Sequence, residues 1–158
     1  MKCVAYVDGS FKYAREPETG KEVGVYGSGV YMQFEWSVEP ILTSFGGSDP
    51  GFARLRNVAG ELRAALYVIQ QVVMMDVKEL TLDLYYDYDG IEKWVTGEWK
   101  ANKPETQYYR DEVRKIMEKV KITFHHVKGH TGVFGNETAD RLANQGCREE
   151  AIKLGLVM

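Results

Sequence analysis

Residues Asn57 to Met75 read NVAGELRAALYVIQQVVMM, and this stretch carries the clearest structural signal in the sequence. Its apolar side chains recur at steps of three and four residues, which is the spacing of one buried face on an α-helix. These apolar positions are Val58, Leu62, Ala65, Leu66, Ile69, Val72 and Val73. The pattern therefore predicts a long helix with one face packed on a sheet.

Extended segments precede this helix, and strands alternate with helices after it. Before the helix, we predict strands at Lys2 to Phe11, Val23 to Trp36 and Ile41 to Phe45, a hairpin loop at Arg15 to Lys21 and a break at Gly46 to Gly51. After it, we predict a strand at Leu80 to Tyr86, helices at Tyr88 to Thr96 and Pro104 to Lys119, a strand at Ile122 to Val127, and a helix from Phe134 to the C-terminus with a break around Gly146.

This order of elements predicts an α/β fold. Three successive strands favour an antiparallel meander, and helical crossovers place the last two strands parallel to the first. We therefore expect a mixed five-stranded sheet flanked by helices. The 158 residues, 44% of them hydrophobic, suffice for one core and one domain over residues 1–158.

The composition indicates a soluble protein. No apolar run approaches the length of a membrane span, and Cys3 and Cys147 show no CxxC spacing, so we expect free thiols, a cytoplasmic location and a monomer. The net charge of −3 hides an asymmetry, since Lys93 to Lys128 holds nine Lys or Arg against five Asp or Glu. That segment fits a nucleic-acid contact, although a solvated helix with mixed charges explains it as well.

Four acidic residues stand beside small or apolar neighbours near the ends of predicted elements: Asp8, Glu61, Asp87 and Asp140. Each has an ordinary structural explanation, such as a helix cap for Asp87 or a surface position for Asp140. Asp83 and Asp89 compete with Asp87, which we choose because it ends its strand. Two carboxylates about 4 Å apart repel by about 4 kcal/mol at an effective dielectric near 20, so such a cluster needs cations or protons.

The side chains available as ligands favour a hard cation. Oxygen donors without a Cys or His cage suit Mg²⁺ or Mn²⁺. His126 and His130 are four residues apart, but Gly129 argues against a helical zinc pair, and His125 and His126 are predicted to point to opposite faces of a strand. His130, between a glycine and a threonine in a glycine-containing loop, is suited to proton transfer.

The motifs YVDGSF, RNVAGELRAA, YYDYDGIEKW and GHTGVFGNETADRLA resemble type 1 ribonuclease H in sequence and in order. The resemblance implies a ribonuclease H-like fold and cleavage of the RNA strand of RNA–DNA hybrids, with 5′-phosphate and 3′-hydroxyl products. It further implies two Mg²⁺ ions, with Mn²⁺ as a substitute. The ligands it implies are Asp8, Glu61, Asp87 and Asp140, and the auxiliary group is His130.

The same resemblance implies a set of substrate contacts. Asn57 would contact the hybrid backbone in the minor groove, and Arg54 would contact a DNA phosphate. Trp94, Trp99, Lys100 and Lys103 would cradle the DNA strand, although their spacing departs from the usual family pattern. Because the 158 residues include no separate hybrid-binding module, processive binding is not expected.

The motifs also bear on other classes of nucleic-acid protein. A non-catalytic nucleic-acid-binding domain of the same fold is disfavoured because all four carboxylates and His130 are present. An exonuclease of related architecture usually carries Asp-x-Glu on its first strand, where this chain has Asp8-Gly9-Ser10, and a related transposase generally lacks GHTG.

Overall fold

The computed structural model describes residues 1–128 and 134–158, and a five-stranded sheet forms its centre. The strands are β1 Lys2–Arg15, β2 Glu22–Phe34, β3 Ile41–Gly47, β4 Thr81–Tyr86 and β5 Lys121–His126. They lie in the order β3-β2-β1-β4-β5, with β1 to β3 antiparallel and β1, β4 and β5 parallel. The predicted mixed sheet, a meander followed by parallel strands, is confirmed.

Helices cover both faces of the sheet. Within the described residues they are α1 Pro50–Ala53, α2 Asn57–Met75, α3 Gly90–Thr96, α4 Pro104–Met117 and α5 Phe134–Lys153. Helix α2 packs on β1, β2 and β4, and α4 packs against α2 and α3, whereas α5 packs on β1, β2 and β3. None of the helices in this described part is long and apolar enough to cross a membrane.

Strand alternation in β1 divides its side chains between the two faces. Cys3, Ala5 and Val7 are fully or almost fully buried in the main core, which also contains the apolar face of α2. Asp8 and Ser10 differ, since Asp8 hydrogen-bonds Asp140 of α5 and Ser10 Oγ lies 2.7 Å from Asn144 of the same helix. The alternation thus carries Asp8 out of the apolar core and towards α5.

The predicted break in the last helix at Gly146 is wrong, because α5 continues through it to Lys153. A Cβ atom at Gly146 would overlap the main-chain oxygen of Phe45, and one at Gly29 would overlap that of Ala139. The glycines therefore let α5 approach the backbones of β3 and β2 closely. That approach brings the acidic residue of α5 next to β1.

Several predicted boundaries differ from the structure because local pairing extends the elements. Strand β1 continues beyond Phe11, since its pairing with β2 persists to the Arg15–Glu22 pair. Helix α1 begins within the segment predicted only as a break, where Asp49 accepts a hydrogen bond from the Phe52 amide at 3.2 Å and Pro50 occupies the first turn. The ends of β2, β3, β4, β5, α3 and α4 shift by one or two residues. The prediction that the last helix reaches the C-terminus is wrong, because α5 ends at Lys153 and Val157 pairs with Arg15 of β1.

Candidate active site

Three of the four acidic residues singled out by the sequence line one cleft. Asp8 comes from β1, Glu61 from α2 and Asp87 from the segment directly after β4, and the cleft encloses about 230 Å³. Asn57 at the start of α2 and Trp99 also line it. The structure therefore brings together residues that are up to 91 positions apart in the chain.

Glu61 is held rigidly at the base of this cleft, with 3% of its surface exposed. Its carboxylate accepts the main-chain N–H of Tyr88 at 2.7 Å and that of Asp87. Burial, followed by the negative charge of Asp8, raises its pKa from 4.5 to about 8, against the lowering effect of these amide hydrogen bonds. Glu61 thus fixes the turn that carries Asp87.

Asp8 and Asp140 form a hydrogen-bonded pair of carboxyl groups. Burial is the main reason that the pKa of Asp8 rises from 3.8 to about 7, and the hydrogen bond and charge of Asp140 and the charge of Asp87 add to it. The Gly9 amide, 2.8 Å from Asp8 Oδ1, acts in the opposite direction. Below its raised pKa, Asp8 holds a proton that offsets the repulsion between it and the neighbouring carboxylates.

The donor atoms of the cleft fit a hard divalent cation. The acidic side chains supply only oxygen, the ligand class preferred by Mg²⁺ and Mn²⁺. Across residues 1–128 and 134–158, no three Asp, Glu, His or Cys side chains already form a metal cage. The Asp8–Asp140 hydrogen bond and the amide contacts of Glu61 occupy oxygens that would turn towards an ion. The acidic residues fit a cation by their chemistry and require side-chain adjustment to enclose it.

A second cavity of about 310 Å³ adjoins the first and has a different character. The two share Val58 and Tyr88 in their walls. The second is lined by four of the predicted substrate contacts: Arg54, Trp94, Lys100 and Lys103. A carboxylate cleft therefore lies beside a basic and aromatic cavity.

Three aromatic rings join the two cavities. Tyr88, Trp94 and Trp99 contact one another with ring centroids 5.6 to 5.9 Å apart. The Lys93 ammonium lies 5.4 Å from the centre of the Trp99 ring. Trp94 lines the basic cavity, whereas Trp99 lines the carboxylate cleft, so the predicted pair forms one surface that spans both.

The structure separates Asp83 from the other two acidic residues near β4. Asp83 lies away from the cleft and contacts His125 Nε2 at 2.8 Å, whereas Asp87 and Asp89 both line it. His125 and His126 point to opposite faces of the sheet, as predicted: His125 stacks on Tyr85, and His126 contacts the Asp87 turn. His130 lies outside the described residues.

Sequence reasoning did not assign a site role to Tyr88, Asp89 or His126. Tyr88 and Asp89 line the cleft, and His126 contacts the main chain of Asp87. The position of Tyr88 and Asp89, immediately after the strand that ends at the chosen aspartate, was an available signal. His126 had a weaker one, since it ends the strand parallel to β4.

Comparison with known proteins identifies the family of this chain. The ribonuclease H family profile, described as RNase H, matches residues 1–148. Ribonuclease H of Marinobacter nauticus is 31% identical over 156 residues, covering 94% of this chain and 95% of the relative. Ribonuclease H1 of Homo sapiens is 33% identical over 158 residues, covering 92% of this chain but only 50% of the human protein.

The fold has matching relatives among solved structures. One is a complex of LC11-RNase H1, an enzyme isolated from compost by a metagenomic approach, with an RNA/DNA hybrid. It superposes with a TM-score of 0.70 at 16% identity, covering 94% of this chain and 98% of that one. The profile match and the bacterial relative together span nearly the whole sequence, and the chain belongs to the type 1 ribonuclease H family.

Proposed function

We propose that this chain hydrolyses the RNA strand of RNA–DNA hybrids and leaves 5′-phosphate and 3′-hydroxyl ends. The observation that carries the proposal is the carboxylate cleft beside a basic and aromatic cavity, in a member of this family. Such a pair of surfaces suits a nucleic-acid backbone with one strand at the acidic cleft and the other at the cationic cavity.

The family uses divalent metal ions, and we propose Mg²⁺ here, with two ions bound and Mn²⁺ able to replace them. Asp8, Glu61, Asp87 and Asp140 would hold them. Bound magnesium would supply Lewis acidity and an activated water for attack at phosphorus. The chain's own contribution is orientation, because Glu61 is fixed by two amides and Asp8 is fixed by the Gly9 amide.

Selection of the RNA strand would come from contacts near the start of α2. Asn57 is exposed at the rim of the carboxylate cleft, where its amide can donate to and accept from a ribose hydroxyl. The 2′-hydroxyl distinguishes RNA from DNA at such a position. The auxiliary proton transfer assigned to His130 and the cytoplasmic location stay predictions.

A cleavage assay tests the proposed function directly. With Mg²⁺, the purified chain should cut the RNA of a labelled hybrid and leave duplex RNA and duplex DNA of the same sequence intact. Chelation by EDTA should stop the reaction, and Mn²⁺ should restore it. Retardation of the hybrid in a gel without cleavage in either metal would instead support a non-catalytic binding domain.

The basic cavity contains an internal ion pair that should weaken substrate binding. Arg54 Nη2 lies 2.6 Å from Glu105 Oε1, with 58% of the Arg54 side chain exposed and 12% of the Glu105 side chain. The carboxylate competes with a DNA phosphate for the guanidinium. A partly exposed pair of this kind is worth up to about 1 kcal/mol, so Glu105→Gln should lower the KM for hybrid by up to about five-fold at low salt.

The salt dependence of hybrid binding tests whether the lower KM of Glu105→Gln comes from a new contact between Arg54 and a phosphate. Glu105→Gln should steepen the slope of log affinity against log salt by about one, since one more phosphate contact forms. Glu118→Gln is the matched control, because Glu118 is exposed at the far end of the same helix. Weaker binding by the Glu105 variant would show that the carboxylate orients Arg54 instead of neutralising it.

A further inference from the structure

His126 makes contacts that neither the sequence motifs nor the cleft lining assigns to it. It is the last residue of β5, and 44% of its side chain is exposed. Its Nε2 atom lies 2.6 Å from the main-chain oxygen of Asp87 and 3.1 Å from Asp89 Oδ1. One ring nitrogen therefore contacts two residues of the turn that follows β4.

The partners of Nε2 determine which ring nitrogen carries hydrogen. A main-chain carbonyl oxygen can only accept a hydrogen bond, and an ionised carboxylate likewise only accepts. Nε2 must therefore be the donor, shared between the carbonyl of Asp87 and the carboxylate of Asp89. This donor role does not depend on whether the ring is neutral or charged, because Nε2–H exists in one neutral tautomer and in the cation.

The turn from Asp87 to Asp89 is held from two opposite sides. Glu61 of α2 accepts the amide hydrogens of Asp87 and Tyr88, and His126 of β5 donates to the carbonyl of Asp87. The next residue after His126 extends the strand pairing, since the Val127 amide donates to Tyr86 at 2.7 Å. His126 is thus anchored beside the end of β4 by its own backbone.

The side chain of Asp89 does not cap the helix that follows it. Asp89 is the N-cap residue of α3, but its side chain makes no capping hydrogen bond there. Its carboxylate instead lies near His126 and, at 3.9 Å, the Lys93 ammonium. The contact with His126 therefore ties the turn to β5 rather than stabilising the helix end.

We propose that His126 is a positioning residue, which holds the Asp87 turn so that the Asp87 carboxylate faces the cleft for cation binding. The inference rests on the proposed function, since it assigns Asp87 to the cation. Loss of the Nε2 donor frees the Asp87 carbonyl to bond with water, and the turn gains mobility. Binding of the cation then becomes weaker, whereas the arrangement reached at saturating cation stays the same.

Three variants separate the hydrogen bond from the shape of the ring. His126→Phe keeps a planar ring against Tyr86 and removes the donor. His126→Gln places an amide N–H donor at about the same distance from the backbone. His125→Phe is the control, because the neighbouring histidine points to the other face of the sheet and retains a ring that can stack on Tyr85.

Metal dependence is the decisive measurement, by two independent methods. The first is the Mg²⁺ concentration that gives half-maximal cleavage of an RNA–DNA hybrid, together with kcat at saturating Mg²⁺. The second is Mn²⁺ binding to the substrate-free protein, measured by calorimetry. Because the second needs no cleavage, a wild-type protein that binds Mn²⁺ without cutting hybrid would refute the proposed function and still test His126.

Supporting residues around metal ligands typically contribute 10- to 100-fold to affinity. We expect His126→Phe to raise the metal concentration at half-saturation by about 10-fold in both methods. The kcat at saturating Mg²⁺ should stay within about two-fold of wild type, and the melting temperature should fall by less than about 4 °C. His126→Gln should recover most of the affinity, and His125→Phe should match wild type. Unchanged metal affinity in His126→Phe, equal loss in His126→Gln, or equal loss in His125→Phe would each overturn the assignment.

Discussion

Asp8→Asn should abolish hybrid cleavage while leaving the protein folded and, without metal, more stable. The substitution keeps the size of the side chain and an oxygen that can accept a hydrogen bond from the Gly9 amide. It removes the negative charge that Asp8 carries beside Asp140 when ionised. Cation stabilisation of the reaction is worth several kcal/mol, and each 1.36 kcal/mol is a factor of ten in rate. The expected loss in kcat at saturating Mg²⁺ is about 1,000-fold or more.

The gain in stability distinguishes loss of a cation ligand from damage to the fold. Replacing Asp8 removes a buried carboxyl whose ionisation the fold opposes, so metal-free Asp8→Asn should unfold at higher temperature than wild type at pH 8. Asp83→Asn is the control, since Asp83 lies on the adjacent strand and contacts His125 away from the cleft. It should cleave at nearly the wild-type rate. Magnesium-dependent cleavage retained by Asp8→Asn would remove the carboxylate cleft from the proposed mechanism.

The parts of the site that the sequence could predict follow from local periodicity. Helical spacing in α2 predicted a face packed on the sheet, and Glu61, next to Leu62 of that face, is buried. The end of β4 favoured Asp87 over Asp83, and the structure leaves Asp83 outside the cleft. The helix period of 3.6 residues and the strand period of 2 residues show which side chains share a face of an element. They therefore predict which carboxylates can lie close together.

Local patterns of this kind do not predict contacts between elements that are distant in the sequence. The pair formed by Arg54 and Glu105 joins residues 51 positions apart and depends on how α1 and α4 approach each other. The contact of His126 with Asp87 depends on the register between β4 and β5, in which Tyr86 pairs with His126. A shift of one residue would turn the imidazole to the other face of the sheet. These contacts therefore required the three-dimensional structure.

The second large effect expected is a fall in metal-free stability as the pH rises from about 4 to 8. The folded chain raises the pKa of Asp8 from 3.8 to about 7 and that of Glu61 from 4.5 to about 8, chiefly through burial. Between those limits the folded state binds more protons than the unfolded state, so the free energy of unfolding decreases with pH. A pKa that differs by one between the folded and unfolded states corresponds to about 1.36 kcal/mol, so shifts of this size correspond to a loss of several kcal/mol.

Magnesium should reverse this loss, because cations bind the ionised carboxylates of the folded state and add RT ln(1 + [Mg²⁺]/Kd) to its stability. Thermal unfolding should therefore show little effect of Mg²⁺ at pH 5 and a clear increase in melting temperature at pH 8. Comparison with Glu61→Gln cancels the contribution of titrating groups that do not interact with Glu61, and this variant should lose less stability than wild type across the same range. Equal stabilisation by Mg²⁺ at both pH values, or parallel pH curves for the two proteins, would show that protons and cations do not compete for these carboxylates.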